Sequence, residues 1–211
     1  MKAALRPLSP WLVPELRLWL LPPEAPWWHA TEPEALGMPY WAFAWPGGQV
    51  LARFLFDHPE WVRGRRVLDF GCGGALEGVA AAKLGAASVL CADLDAEACA
   101  LAQRNAELNG VQLEVTTAEL LRAPAGAFDV ILAGDVCYSV ELAAQVLPWL
   151  RGSTAEVLVG DPLRVPGALG DAARLATYAA SFDGDPRGLT LWPTHVLRLG
   201  AAHTARPASS S

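Results

Sequence analysis

Lysine is nearly missing from this chain: Lys2 and Lys83 stand against 14 arginines. A lysine-modifying enzyme that spares itself would show such a bias, although skewed base composition is its simpler source. No Lys/Arg-rich run occurs and the net charge is −6. The basic patch that marks phosphate-backbone binders is therefore absent, and no nucleic-acid partner is expected. Cysteine is scarce as well. Cys72, Cys91, Cys99 and Cys137 are too scattered for a disulfide framework, form no C-x-x-C pair and have no His at ligand spacing. No metal site is expected, and reduced, buried thiols suit a cytoplasmic protein. Long apolar runs are lacking too. Lys2, Arg6, Pro7, Pro10, Pro14, Glu15 and Arg17 break up any signal-peptide core or membrane span of about 20 residues near the N-terminus. What remains is a globule: 211 residues, 53% apolar and 18% charged, enough for one hydrophobic core and too apolar for a disordered chain.

The chain falls into three parts. Residues 1–36 are rich in Pro and Trp, including Trp11, Trp19, Trp27 and Trp28, and form an N-terminal extension expected to pack on the rest. Residues 37–200 carry the main domain, and the small, polar tail from Ala201 is expected to be disordered. Val50, Leu51, Phe54 and Leu55 have helical spacing between Gln49 and His58, closed by Pro59. Strands and helices alternate after that. Strands are expected at 66–70, 88–92, 112–116, 129–133 and 156–159. Helices are expected up to Lys83, over 96–108, with Asn109-Gly110 as the stop signal, and over 140–150. A short helix near 169–174 and two further strands, 176–180 and 194–199, flank a turn-rich loop over 181–193. Such alternation predicts an α/β fold with a doubly wound, mostly parallel sheet covered on both faces.

The most informative stretch is Val67-Leu68-Asp69-Phe70-Gly71-Cys72-Gly73-Gly74, a strand running into a Gly-rich turn and then a helix. Ligands of doubly wound sheets lie beyond the carboxyl ends of the strands, where strand order reverses. Asp93 closes the next strand, where a carboxylate can accept hydrogen bonds from ribose hydroxyls. Dinucleotide enzymes share both features, so Asp69 is the discriminating residue. A pyrophosphate over this turn would be repelled by an adjacent carboxylate, whereas a sulfonium amino acid tolerates one. Asp69 thus favours S-adenosylmethionine over a nicotinamide cofactor, unless it merely caps the turn.

This D-x-G-x-G turn with its second-strand acid resembles the class I S-adenosylmethionine-dependent methyltransferases over roughly residues 40–200. The resemblance implies a seven-stranded Rossmann-like sheet. It places Asp69 at the methionine end, Gly71, Cys72 and Gly73 along it, and Asp93 with Leu94 at the ribose. Glu119 takes the adenine-proximal position unless it is an exposed loop carboxylate. One departure is Ala75, standing where the family's motif commonly has a third glycine.

The fourth strand ends in Ala133-Gly134-Asp135-Val136-Cys137-Tyr138. Its D-x-x-Y spacing is similar to that of protein lysine methyltransferases of the seven-stranded group, which implies catalytic roles for Asp135 and Tyr138. Asp135 would orient the acceptor amine and Tyr138 would wall its alkyl stem, unless Asp135 is a structural turn residue. The aromatic run Pro39-Tyr40-Trp41-Ala42-Phe43-Ala44-Trp45-Pro46-Gly47-Gly48-Gln49 would make a lid over the channel, with Trp45 against the cofactor, if it is not ordinary core. This run, Ala133-Gly134-Asp135 and Gly160-Asp161-Pro162-Leu163-Arg164 resemble the lysine methyltransferases of the electron transfer flavoprotein β subunit, where Gly is expected in place of Leu163. The implied activity is methylation of a protein lysine, the flavoprotein β subunit being the suspected partner. Methylation of a small amine or heteroaromatic nitrogen, and a silent cofactor-binding scaffold, are the alternatives.

Overall fold

The structure, a computed structural model, describes residues 5–25, 37–122, 124–181 and 191–200. Trp27, Trp28, most of the expected loop over 181–193 and the tail from Ala201 lie outside the described residues. Nine strands and four α-helices follow in chain order among those described: β1 (Arg6–Leu8), β2 (Leu18–Leu20), α1 (Pro46–Asp57), β3 (Arg66–Phe70), α2 (Leu76–Lys83), β4 (Ser88–Ala92), α3 (Ala96–Asn109), β5 (Glu114–Thr116), β6 (Val130–Gly134), α4 (Val140–Arg151), β7 (Glu156–Asp161), β8 (Ala173–Ala180) and β9 (Trp192–Leu199). Seven of the strands form one sheet in the order β5-β4-β3-β6-β7-β9-β8. Pairing is parallel from β5 through β7, and β9 runs antiparallel to both β7 and β8. The mostly parallel, doubly wound fold read from the sequence is the fold observed.

The strands are buried on both faces because their residues alternate between two cores. Val67, Leu132 and Leu158 join one cluster with Leu51 and Leu55 of α1 and Val79 of α2. Leu68, Ile131, Val157 and Val159 join the other with Leu147 and Leu150 of α4. The N-terminal segment contributes to the first cluster through Val13, Leu16, Leu18 and Leu20. It is pinned to α3 by Asn105 Oδ1, which accepts from Trp19 N at 2.7 Å, and by the Arg104 guanidinium over the Trp19 ring.

Two expectations need correction. Residues 166–172 form turns rather than a helix, and β8 begins at Ala173. Gly167, at φ +78, and Gly170 sit inside that stretch and oppose helical propagation. Helix α1 begins at Pro46, three residues before the expected start, for a reason that lies in the site.

Among the described residues, no helix is long and apolar enough to cross a membrane.

Candidate functional site

Strand order reverses between β4-β3 and β6-β7, so a crevice opens above the carboxyl ends of β3 and β6. Four helices start at this end of the sheet, and their caps differ. Ser139 Oγ caps α4 by accepting from Leu142 N at 3.2 Å. Asp95 caps α3 by accepting from Glu97 N at 2.8 Å, as local rules require. Helices α1 and α2 begin at Trp45 and Ala75, which offer no side-chain cap. Their first-turn N–H groups are satisfied from across the fold. Asp69 Oδ2, on β3, accepts from Gly78 N of α2 at 2.8 Å. Asp135 Oδ2, just past β6, accepts from Gly47 N at 2.5 Å and Gly48 N at 3.2 Å of α1. Each carboxylate thus meets the positive end of a helix dipole.

Of the residues expected at the cofactor, Asp69 alone is not among those lining the cleft. Alternation along β3 turns the side chain beneath α2, where it is wholly buried and outside the cleft lining. Burial pushes its carboxyl up to about 7, with Asp93 adding to the effect.

The cleft itself encloses about 620 Å³, in the range of small-molecule sites. Apart from Asp69, the structure brings together every site residue singled out from the sequence: Trp45, Gly71, Cys72, Gly73, Asp93, Leu94, Glu119, Asp135 and Tyr138 all line it. Asp93 Oδ2 accepts from Gly73 N at 2.9 Å and Oδ1 from Asp95 N at 3.0 Å, so Asp93 also holds the glycine turn in shape. Glu119 lies exposed on the rim, accepting from Leu121 N at 3.4 Å. Tyr138 stands at the mouth with 65% of its surface exposed. The Trp45 ring stacks on Tyr40 at 6.0 Å and leans on Phe43 at 5.8 Å, which makes the aromatic run a wall of the cleft. Cys72 and Cys91 hold each other's thiols in contact, and that contact and burial push the Cys72 thiol above its ordinary range, which leaves it inert.

Two further residues of the cleft were given no role from the sequence. Glu77, in the first turn of α2, is 6% exposed and faces the cleft floor between Gly48 and Gly134. Burial, then Asp69 and Asp135, push its carboxyl well above the usual range. Arg164 pairs with Asp135 Oδ1, and its guanidinium lies 5.8 Å from the Trp45 ring centroid. It is the one basic side chain among the described residues lining the cleft, against the acids Glu77, Asp93, Asp95, Glu119 and Asp135.

Residues 58–151 match the family described as ribosomal protein L11 methyltransferase (PrmA). The chain is 44% identical over 160 residues to the electron transfer flavoprotein β-subunit lysine methyltransferase of Xenopus laevis, covering 72% of this chain and 65% of that one. Against the Mus musculus protein of the same name it is 39% identical over 173 residues, covering 79% and 68%. The chain belongs to the electron transfer flavoprotein β-subunit lysine methyltransferase family. It spans slightly less than two thirds of the Xenopus relative's length. A ribosomal protein L11 methylase structure from Lactobacillus delbrueckii subsp. bulgaricus superposes with a TM-score of 0.53 at 25% identity, over 72% of this chain and 77% of that one. Both places where this chain lacks a glycine expected from the resemblance carry positive φ: Ala75 at +59 and Leu163 at +62. A left-handed residue with a Cβ costs roughly 1–2 kcal/mol, which explains a glycine at either position.

Proposed function

We propose that this protein transfers the methyl group of S-adenosylmethionine to a lysine ε-amine on a protein, with the electron transfer flavoprotein β subunit as substrate. The observation that carries this reading is the sign of the cleft. Its floor and walls present carboxylates to a cofactor that brings a sulfonium and an ammonium, and a pyrophosphate would meet repulsion there. The discrimination first attributed to Asp69 belongs instead to Glu77, which faces the methionine end, and to Asp93, which takes the ribose hydroxyls. The four buried, unpaired thiols fit a reducing, cytosolic setting.

S-adenosylmethionine supplies an electrophilic methyl carbon: the amine lone pair forms the N–C bond, the C–S bond breaks toward sulfur, and an N–H proton leaves to solvent. The protein's part is to aim the nitrogen and exclude water. Asp135 is fixed for aiming, since Oδ2 is held by two amides, Oδ1 pairs with Arg164, and the residue lines the cleft. Tyr138, exposed at the mouth, offers a ring to the lysine stem. An acceptor site opening at such a rim fits a side chain presented by a protein.

The test is incubation with labelled cofactor and purified flavoprotein β subunit, followed by peptide mapping. Label on one of its lysines is the expected result. Label confined to small molecules in a lysate would select amine methylation instead, and cofactor binding without any transfer would select a silent scaffold.

A further inference from the structure

A carboxylate beside an acceptor amine creates a conflict. The attacking nitrogen needs its lone pair, yet lysine has a pKa of about 10.4, and an opposite charge within about 4–6 Å strengthens the ammonium by 1–3 pKa units. We infer that Arg164 resolves this conflict as a positioning residue: its guanidinium offsets Asp135, so that the carboxylate orients an incoming amine without holding a proton on it. The inference rests on the lysine reading and specifies how the acceptor arrives neutral.

The geometry supports each step. Asp135 Oδ2 is engaged by Gly47 N and Gly48 N, Arg164 pairs with the other oxygen, Oδ1, and both Asp135 and Arg164 line the cleft. A carboxylate oxygen has two lone pairs, which leaves one for an amine N–H. The other ionisable groups facing Asp135 are Glu77 from α2 and Asp161 from β7, both acids, while α1 presents only its amides. Arg164 is therefore the permanent cation at this end of the cleft, because a guanidinium does not deprotonate in proteins. It is also anchored. Asp161 Oδ1 accepts from Leu163 N at 2.5 Å and Arg164 N at 3.2 Å, and the side chain lies against Trp45.

Arg164→Met and Arg164→Lys test the assignment through the dependence of kcat, which reports groups in the bound complex, on pH between about 6 and 10. In Arg164→Met the acidic limb is expected to move up by about one unit or more. Activity then falls about tenfold at pH 7 and returns toward the wild-type value above the limb. Arg164→Lys keeps a charge and is expected to keep the limb near its wild-type position. Without cofactor, ¹³C NMR is expected to show the Asp135 carboxyl titrating higher in Arg164→Met than in the wild type. Loss of activity by one factor at every pH, or an unmoved Asp135 titration, overturns the inference while leaving the lysine activity standing. A wild type that labels no lysine overturns both.

Discussion

Replacing Gly160 by Ala is expected to destabilise the fold far more than one methyl group ordinarily does. Gly134 and Gly160 are register partners on β6 and β7 and lie under the N-terminus of α1. A Cβ on Gly160 would overlap the Gly47 carbonyl oxygen and meet Gly47 C at 2.7 Å and Leu51 Cγ at 2.8 Å, against an optimal carbon–carbon separation of about 3.5–4.0 Å. The obstructing atoms are mostly backbone, so no rotamer change relieves them and α1 must lift by about 1 Å. Overpacking costs roughly 1–3 kcal/mol. Lifting α1 also weakens the Asp135 bonds to Gly47 and Gly48, worth roughly another 1.5–3 kcal/mol as hydrogen bonds to a charged group. The combined loss of about 3–5 kcal/mol corresponds to a fall in Tm of roughly 6–20 °C for a chain of this size. Thermal unfolding followed by circular dichroism reads it directly. Gly152→Ala serves as the control, because its Cβ would meet only Pro148 O at 3.3 Å and Trp149 O at 3.5 Å. A Gly160→Ala protein melting within about 2 °C of that control would refute the packing argument.

Asp93→Ala removes one proposed ribose contact and the brace on Gly73. S-adenosylmethionine affinity by calorimetry is expected to fall by roughly 10–150-fold, and an unchanged affinity would exclude the contact. Burial and the neighbouring Asp69 and Asp135 oppose ionisation of Glu77, and a cation entering beside it favours ionisation. Cofactor binding is therefore expected to release a proton and to tighten as pH rises. Calorimetry in two buffers of different ionisation enthalpy checks this, and Glu77→Gln should abolish the buffer dependence; a wild type without any would sink the assignment. Asp69 has its folded pKa raised from 3.8 to about 7, so the protonated form is the one the fold prefers. Its contribution is fully present below about pH 4, is lost between pH 4 and 7 and stays constant above, a span of about 4 kcal/mol. Asp69→Asn should therefore gain on the wild type across that window in urea unfolding, and a pH-independent gap would contradict it.

Much of the sheet was legible because its strands are short apolar runs bounded by Gly, Pro and Asp. The limits of β3 and β4 match the expected spans, and α3 stops at Gly110 in the left-handed conformation its Asn-Gly signal implies. Helix α1 was read too short because Pro46-Gly47-Gly48 looks like a breaker and Trp45 is no N-cap. The missing cap lies 88 residues along the chain at Asp135, beyond the reach of local pattern. Arg164 was in view as part of a motif, but nothing in the sequence places its guanidinium on Asp135. Glu77 looked like one more first-turn acid on a helix, and only the hollow made by Gly48 and Gly134 turns it into the cleft floor. A cue existed nonetheless. Two helices flanking a Gly-rich crevice begin without a Ser, Thr, Asp or Asn cap, which predicts that carboxylates from elsewhere must supply one.

That pairing also explains why the acids belong where they are. Anion-binding crevices in doubly wound folds leave helix N-termini free to hold phosphate. Here Asp69 occupies the N-terminus of α2 and Asp135 that of α1, so the attraction that would draw an anion is already answered within the chain. Arg164 answers one further charge, on Asp135. Glu77 and Asp93 then remain facing the cleft, with no ion pair to a cationic side chain among the described residues, and Glu77 is held from water. Desolvation makes its ionisation costly until a cation arrives, so a positively charged ligand gains a contact that a neutral or anionic one cannot. Specificity for a sulfonium amino acid follows from helix ends closed by carboxylates and a floor left acidic, and the two depend on each other: reopening either helix end would admit the anion that the floor repels.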